Sequence, residues 1–184
     1  TRWAHDIRLL PLHAAMTSEP TAGYVVGSVL FSGALWSLWH PHQAAGTTDA
    51  ITALSTSTTA WSSNTVFTEV AAGDGLKALD LQQNGTNLLA LVNRLATSGS
   101  AATGTYYVYR SAAGASWTAG GAIGAADLMS EGNRKDNVIP NNTGLLCPTR
   151  ILGVDVVAIW NRSNQVFDLY SSTDSFNASV VSEI

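Results

Sequence analysis

An aromatic marker that returns about every 57 residues, four short strand signals in each interval and a near absence of helical patterning predict an all-β chain. The expected architecture is propeller-like, with about three four-stranded blades in a single repeat domain of 184 residues. Trp3, Trp61, Trp117 and Phe176 are the markers, spaced 58 (3 to 61), 56 (61 to 117) and 59 (117 to 176) residues apart. Other positions keep step with them. Ser55 and Ser111 each stand six residues before their tryptophan, and Ser171 stands five before Phe176. Segments 35–40, 88–93 and 156–161 align without gaps, each with a small residue third and a large apolar residue fourth (Leu38, Leu91, Ile159). A turn precedes each of them, at Ser32-Gly33, Asn84-Gly85 and Gly153. The blade units are therefore expected at roughly 4–61, 62–117 and 118–176, with 177–184 as a terminal strand.

Taken in order, residues 5–13 read as one strand and 16–23 as a polar link around Pro20. Strands are expected at 24–31, 34–39, 50–55 and 66–70, where β-branched and aromatic residues cluster or alternate. The hydroxyl-rich segment 55–60 and Gly73-Asp74-Gly75 are turns by composition. The second copy supplies strands at 76–82, 87–95, 105–111 and 117–123. Segment 87–95 is nearly continuous in apolar residues, as a strand buried on both faces would be, and its place in the repeat decides against a helix. The third copy supplies 146–152, 155–160, 165–171 and 178–181. Before it comes the longest polar stretch, 130–144, with Glu131, Arg134, Lys135 and Asp136 close together.

Apolar residues make up 46% of the chain and charged residues only 12%, about half the usual share. Glycine, alanine, serine and threonine fill the gap, a composition suited to secreted or assembled proteins. A net charge of −4 and the absence of any basic cluster exclude a nucleic-acid footprint. No run approaches the roughly 18 apolar residues of a membrane span. The single cysteine, Cys147, follows Leu145-Leu146 and is expected as a buried free thiol. The chain does not begin with methionine, which is expected of a processed product or of a piece cut from something longer.

The stretch Tyr107 to Thr118 carries a family signal. Ser111, Gly114 and Trp117 resemble the serine, glycine and tryptophan of the Asp-box hairpin in sialidase-like (BNR) β-propellers. The turn is one residue short, and Ala113 stands where the aspartate belongs. The first copy lacks both aspartate and glycine, and the third has Asp174 at another offset with Phe176 in place of tryptophan. The resemblance implies structural roles for Ser111, Gly114, Trp117, Trp61 and Phe176. It is nearest to degenerate propellers of extracellular and phage-virion proteins. The serine hydroxyl would bond backbone amides in the turn, glycine would take a positive φ, and the aromatic ring would anchor the hairpin between sheets.

Catalysis of the sialidase kind needs an arginine cluster, a tyrosine nucleophile and carboxylates. Pro148-Thr149-Arg150-Ile151 only faintly echoes the arginine signature, and Arg94, Arg150 and Arg162 would have to converge. No catalytic residue, metal site or cofactor is expected. His40-Pro41-His42 lacks further ligands in sequence. Gly120-Gly121-Ala122-Ile123-Gly124 has no Lys-Ser/Thr after it. The binding candidates are Arg134, Lys135 and Asp136 in the charged insertion, with Trp36 and Trp39 as aromatic contacts. Three blades do not close a ring, so self-association or a longer parent chain is expected. The function expected is a non-catalytic binding or structural module, extracellular or virion-associated, facing a glycan or protein partner. A fragment of a divergent sialidase-like glycoside hydrolase is the alternative.

Overall fold

Apolar and β-branched runs punctuated by small-residue turns fold here as strands that pair only with their neighbours in sequence. The computed structural model describes residues 23–41, 48–56, 61–69, 76–95, 104–123, 144–147, 150–161, 166–177 and 182–183. The first sheet holds β1 (Gly23–Phe31), β2 (Ala34–Pro41), β3 (Ala50–Thr56) and β4 (Trp61–Thr68). The second holds β5 (Leu76–Gln83), β6 (Leu88–Leu95), β7 (Gly104–Ser111) and β8 (Thr118–Ile123). The third holds β9 (Gly144–Leu146), β10 (Asp155–Asn161), β11 (Val166–Ser172) and β12 (Ser182–Glu183). Each sheet is an antiparallel meander in chain order, and there is no helix among the described residues. The all-β, propeller-like class and its four-stranded blades are present as expected.

The three sheets stack face to face, with the middle one covered on both sides. Along β6, Leu88, Ala90 and Val92 enter a cluster with Phe31, Trp36, Leu38 and Ile51 of the first sheet. The intervening Leu89 and Leu91 enter a second cluster with Val157, Ile159 and Phe176 of the third. Five consecutive residues, Leu88 to Val92, are at most 2% exposed. That two-faced burial explains the unbroken apolar run, and each large side chain in it contributes about 1.5–3 kcal/mol.

Strand periodicity corrects the repeat in its third copy. Asp155 pairs with Ser172 as Leu88 pairs with Ser111, so Ser172, and not Ser171, matches Ser111. Ala158 then matches Leu91, and Ile159 matches Val92. Ile159 faces back toward the middle sheet, whereas Leu91 faces forward. A gapless alignment of apolar runs cannot detect this, because a one-residue slip moves every side chain to the other face. The sheets also end one strand later than the units 4–61, 62–117 and 118–176 suggest, because β4 closes the first sheet and β8 the second. β9 ends at Leu146, and 151–154 form a tight reversal bridged between Ile151 and Val154. The last described strand is 182–183, and the strand expected at 178–181 lies outside the described residues.

The hairpin after β7 shows how the sheets are keyed together. Gly114 has φ +77°, and a Cβ there would lie 1.9 Å from the Trp36 ring. The carbonyl of Gly114 accepts the Trp117 indole N–H at 2.9 Å. Trp36 of the first sheet therefore lies flat on a turn of the second, and Trp117 packs half-buried on the same cluster. Phe176 does the equivalent work for the third sheet. It is fully buried between the second and third sheets, and its carbonyl crosses Gly120 of β8 so closely that a Cβ there would clash. Trp61 opens β4.

Substituting Gly114→Ala combines a left-handed backbone with a ring clash, and should cost about 2–4 kcal/mol. Gly85→Ala has φ +93° but nothing within 4 Å, so it should cost only the backbone part, about 1–2 kcal/mol. Urea unfolding of both variants checks the difference.

Candidate functional site

All three sheets point the same way, which sorts the connections into two ends. The end of β2 meets the start of β5, where the Ala78 amide donates to His40 Nδ1 at 3.2 Å. The end of β5 meets the start of β10, where Asn84 Nδ2 donates to Asp155 at 3.3 Å and to Ser175 Oγ. Short turns, such as 32–33, 84–87 and 112–117, therefore lie at one end. The longer links 42–49, 69–75, 96–103 and 124–143 leave from the other. Arg134, Lys135 and Asp136 fall in the last of these and lie outside the described residues, but Ile123 and Gly144 fix its attachment to the long-link end.

At that end the seam between the first two sheets gathers Asp49, Glu69, His40, Lys77 and Arg94. Asp49 and Glu69 are both buried, at 7% and 4% exposed. They pair reciprocally: the Glu69 amide donates to the Asp49 carbonyl at 3.0 Å, and the Asp49 amide donates to Glu69 Oε2 at 3.0 Å. His40 lies alongside. Burial chiefly, and then the charge of Lys77, push its pKa down to about 4, against an opposing pull from Asp49. Burial also lowers Lys77. The imidazole is therefore neutral near neutral pH, with Nδ1 free of a proton so that it can accept from Ala78.

Further out along the same seam, the Arg94 guanidinium is sandwiched between rings, 4.4 Å from the centre of Phe67 and 4.6 Å from that of Tyr107. It also bonds Tyr109, whose hydroxyl burial holds above its ordinary pKa. Such a clamp ties β4 of one sheet to β6 and β7 of the next, with about 0.5–2 kcal/mol from each cation–ring contact.

Asp80 sits at the second seam. It occupies a bulge in β5, where Leu79 is the extra residue. Its Oδ1 accepts from the Leu81 amide at 2.8 Å, and its Oδ2 accepts from the Leu146 amide of β9 at 2.8 Å. Burial raises its pKa against the pull of those amides and Gln82. At the short-turn end Asp155 receives Arg150 Nε at 3.5 Å, and Arg150 Nη2 donates to the Thr173 carbonyl at 2.8 Å.

The expected aromatic contacts divide. Trp36 is only 7% exposed and is occupied by packing on Gly114, which removes it from any recognition surface. Trp39 is half-buried on the opposite face of β2, with its indole against Gly23. Arg94 and Arg150 lie at opposite ends of the fold and do not converge; Arg162 lies outside the described residues. Cys147 is half-buried rather than buried. Among the described residues no three His, Cys, Asp or Glu side chains gather as a metal site.

The two hairpins identified by their serines behave differently. The Ser111 hydroxyl is buried and makes no hydrogen bond among the described residues. Ser172 Oγ instead accepts from the Phe176 amide at 2.8 Å and the Asp174 amide at 3.2 Å, and Asp174 Oδ1 caps the Asn177 amide at 3.0 Å. These bonds hold Ser175 and Phe176 at φ +60° and +59°, conformations that cost a side-chain-bearing residue about 1–2 kcal/mol each.

No family model matches the sequence, and no curated protein matches it either. Among solved structures, the α-L-arabinofuranosidase Arb93A of Fusarium graminearum, in complex with an iminosugar inhibitor, has a TM-score of 0.53 at 12% identity. The likeness is one of fold. It covers 90% of this chain and 49% of that one, so this chain spans about half of that protein's length. The GH32 β-fructofuranosidase BmSUC1 of Bombyx mori aligns over 90% of this chain and 37% of its own, at 15% identity with a TM-score of 0.45.

Sequence reasoning finds no partner signature for Asp80 as a carboxylate paired with Asp74, and it misses Asp155, Glu69 and Lys77. Asp80 and Asp155 did carry a signal, since each is a lone carboxylate inside an apolar strand (LKALDLQ, VDVVAIW), and a buried carboxylate must find donors. Glu69 and Lys77 had none, because each lies in an ordinary strand-end context.

Ser172→Ala should lose about 1–2 kcal/mol with its amide bonds, whereas Ser111→Ala, which removes an unbonded buried hydroxyl, should be neutral or slightly stabilising. Denaturant titration compares them. His40 is held neutral in the folded chain, so acidification below its ordinary pKa of 6.5 protonates only the unfolded state. Stability should fall as pH drops from about 6.5 to about 4, by about 3 kcal/mol at most. His40→Asn keeps an acceptor beside the Ala78 amide and cannot titrate there, so it should flatten that slope.

Proposed function

We propose that the chain is a non-catalytic propeller module, extracellular or virion-associated, that presents its long-link end to a glycan or protein partner. Arg134, Lys135 and Asp136 are the recognition residues of the insertion, with Trp39 the remaining aromatic candidate. The observation that carries this reading is the employment of the polar groups. Asp80 and Asp155 are bonded into the seams, Asp49 and Glu69 are buried together, and Arg94 is clamped by rings. A glycosidase needs two carboxylates facing an accessible cleft, about 5–9.5 Å apart. These four carboxylates are only 4–9% exposed. The Asp-box resemblance is part of the same proposal, supported by the capped turn at Ser172 and Asp174.

The second reading is a divergent glycoside hydrolase-like fragment. It draws on the fold shared with an arabinofuranosidase and on the Asp49–Glu69 pair at the long-link end, next to His40 and Lys77.

A glycan array and an aryl α-L-arabinofuranoside assay separate the two. The binding reading expects a retained glycan whose signal falls at least tenfold in the triple variant Arg134→Ala, Lys135→Ala, Asp136→Ala, with unchanged unfolding and no hydrolysis. Turnover that disappears in both Asp49→Asn and Glu69→Gln would instead establish the enzyme.

A further inference from the structure

The third sheet repeats the forward face of the first two, with no sheet among the described residues to cover it. On β3 and β7 the forward-facing pairs Ile51 with Ala53, and Tyr106 with Val108, are all 0% exposed, sealed by the sheet that follows. Their counterparts on β11 are Phe167 and Leu169, as the register shows: Leu169 pairs with Ala158 as Val108 pairs with Leu91 and Ala53 with Leu38. Yet Phe167 is 45% and Leu169 40% exposed. Leu145 of β9, 54% exposed, extends the patch, and Trp160 stands edge-on to Phe167 with centroids 5.1 Å apart. Positions that bury completely twice within one chain are left open a third time. Apolar patches of this kind mark interaction surfaces.

The first sheet presents the matching backward face. On β1, Leu30 is 68% and Val25 50% exposed, opposite to the face whose Val29 packs on the middle sheet. At the centre of that face Ser28 and Ser37 bond each other at 2.8 Å, where the middle sheet has Leu81 and Ala90. The polar atoms are thus satisfied mutually, and the surface remains compatible with an apolar partner sheet.

We infer that the forward face of the third sheet docks on the backward face of the first sheet in a second copy of this chain, and reciprocally. The seam continues the geometry of the two seams inside the chain. Three blades fall short of the four to eight found in closed rings, whereas two chains supply six. A head-to-tail contact that closes after two copies is self-limiting, unlike an open filament.

Light scattering of the 184-residue chain across a concentration series tests this. The expected mass is twice 19.3 kDa. Phe167→Glu on one face and Leu30→Glu on the other should each halve it, with the β signal in far-ultraviolet circular dichroism retained. Should a charged variant lose that signal, Phe167→Ser and Leu30→Ser give the same readout. A wild-type chain that stays at 19.3 kDa at every concentration overturns the inference. A dimer sensitive to Phe167→Glu but indifferent to Leu30→Glu also overturns it, because third sheets would then be pairing back to back.

Discussion

Everything in this fold depends on a sheet that is apolar on both sides. β6 buries five residues in succession, alternately forward and backward, and the two flanking sheets exist as ordered layers because each has one of those faces to cover. The polar groups at the seams are secondary to it. Asp80 reaches across to the Leu146 amide, His40 accepts the Ala78 amide, and Asn84 reaches Asp155. Each of these satisfies a group that stacking has already taken out of water, and none would draw two sheets together unaided.

Among the described residues, the seams employ several of the charged and polar side chains. Only 12% of its residues are charged, and among the described ones Asp80, Asp155, Arg94 and His40 all work within or between sheets. The likeness to an arabinofuranosidase at 12% identity is one of fold, and a shared fold does not by itself carry a shared activity. The shared architecture sets how loops are displayed, and the loops carry the chemistry.

The class of fold was legible in the sequence because it rests on coarse signals. The spacing of Trp61 and Trp117, the apolar segments around Leu38 and Leu91, and the turns at Gly33, Gly85 and Gly153 survive as read. The third copy was misaligned because matching apolar runs is insensitive to a slip of one residue, and only pairing Asp155 with Ser172 reveals which face Ile159 occupies. Gly114 was legible as a turn glycine. Its contact with Trp36 was not, since the two are 78 positions apart and meet only through stacking. The turn at Ser172 was hidden for a different reason: Phe176 takes the left-handed position that sequence logic reserves for glycine, and the serine and aspartate bonds that make this tolerable appear only in three dimensions.

The strict neighbour-to-neighbour order of the strands bears on how the chain acquires its structure. Every described strand pairs only with the one made just before or just after it, so among the described residues no strand of an earlier sheet waits on a later one for its ladder. Contacts of this kind close short loops and lose little chain entropy. During synthesis, the first sheet can zip together before the second has been translated, and its forward face then serves as the template on which β5 to β8 assemble.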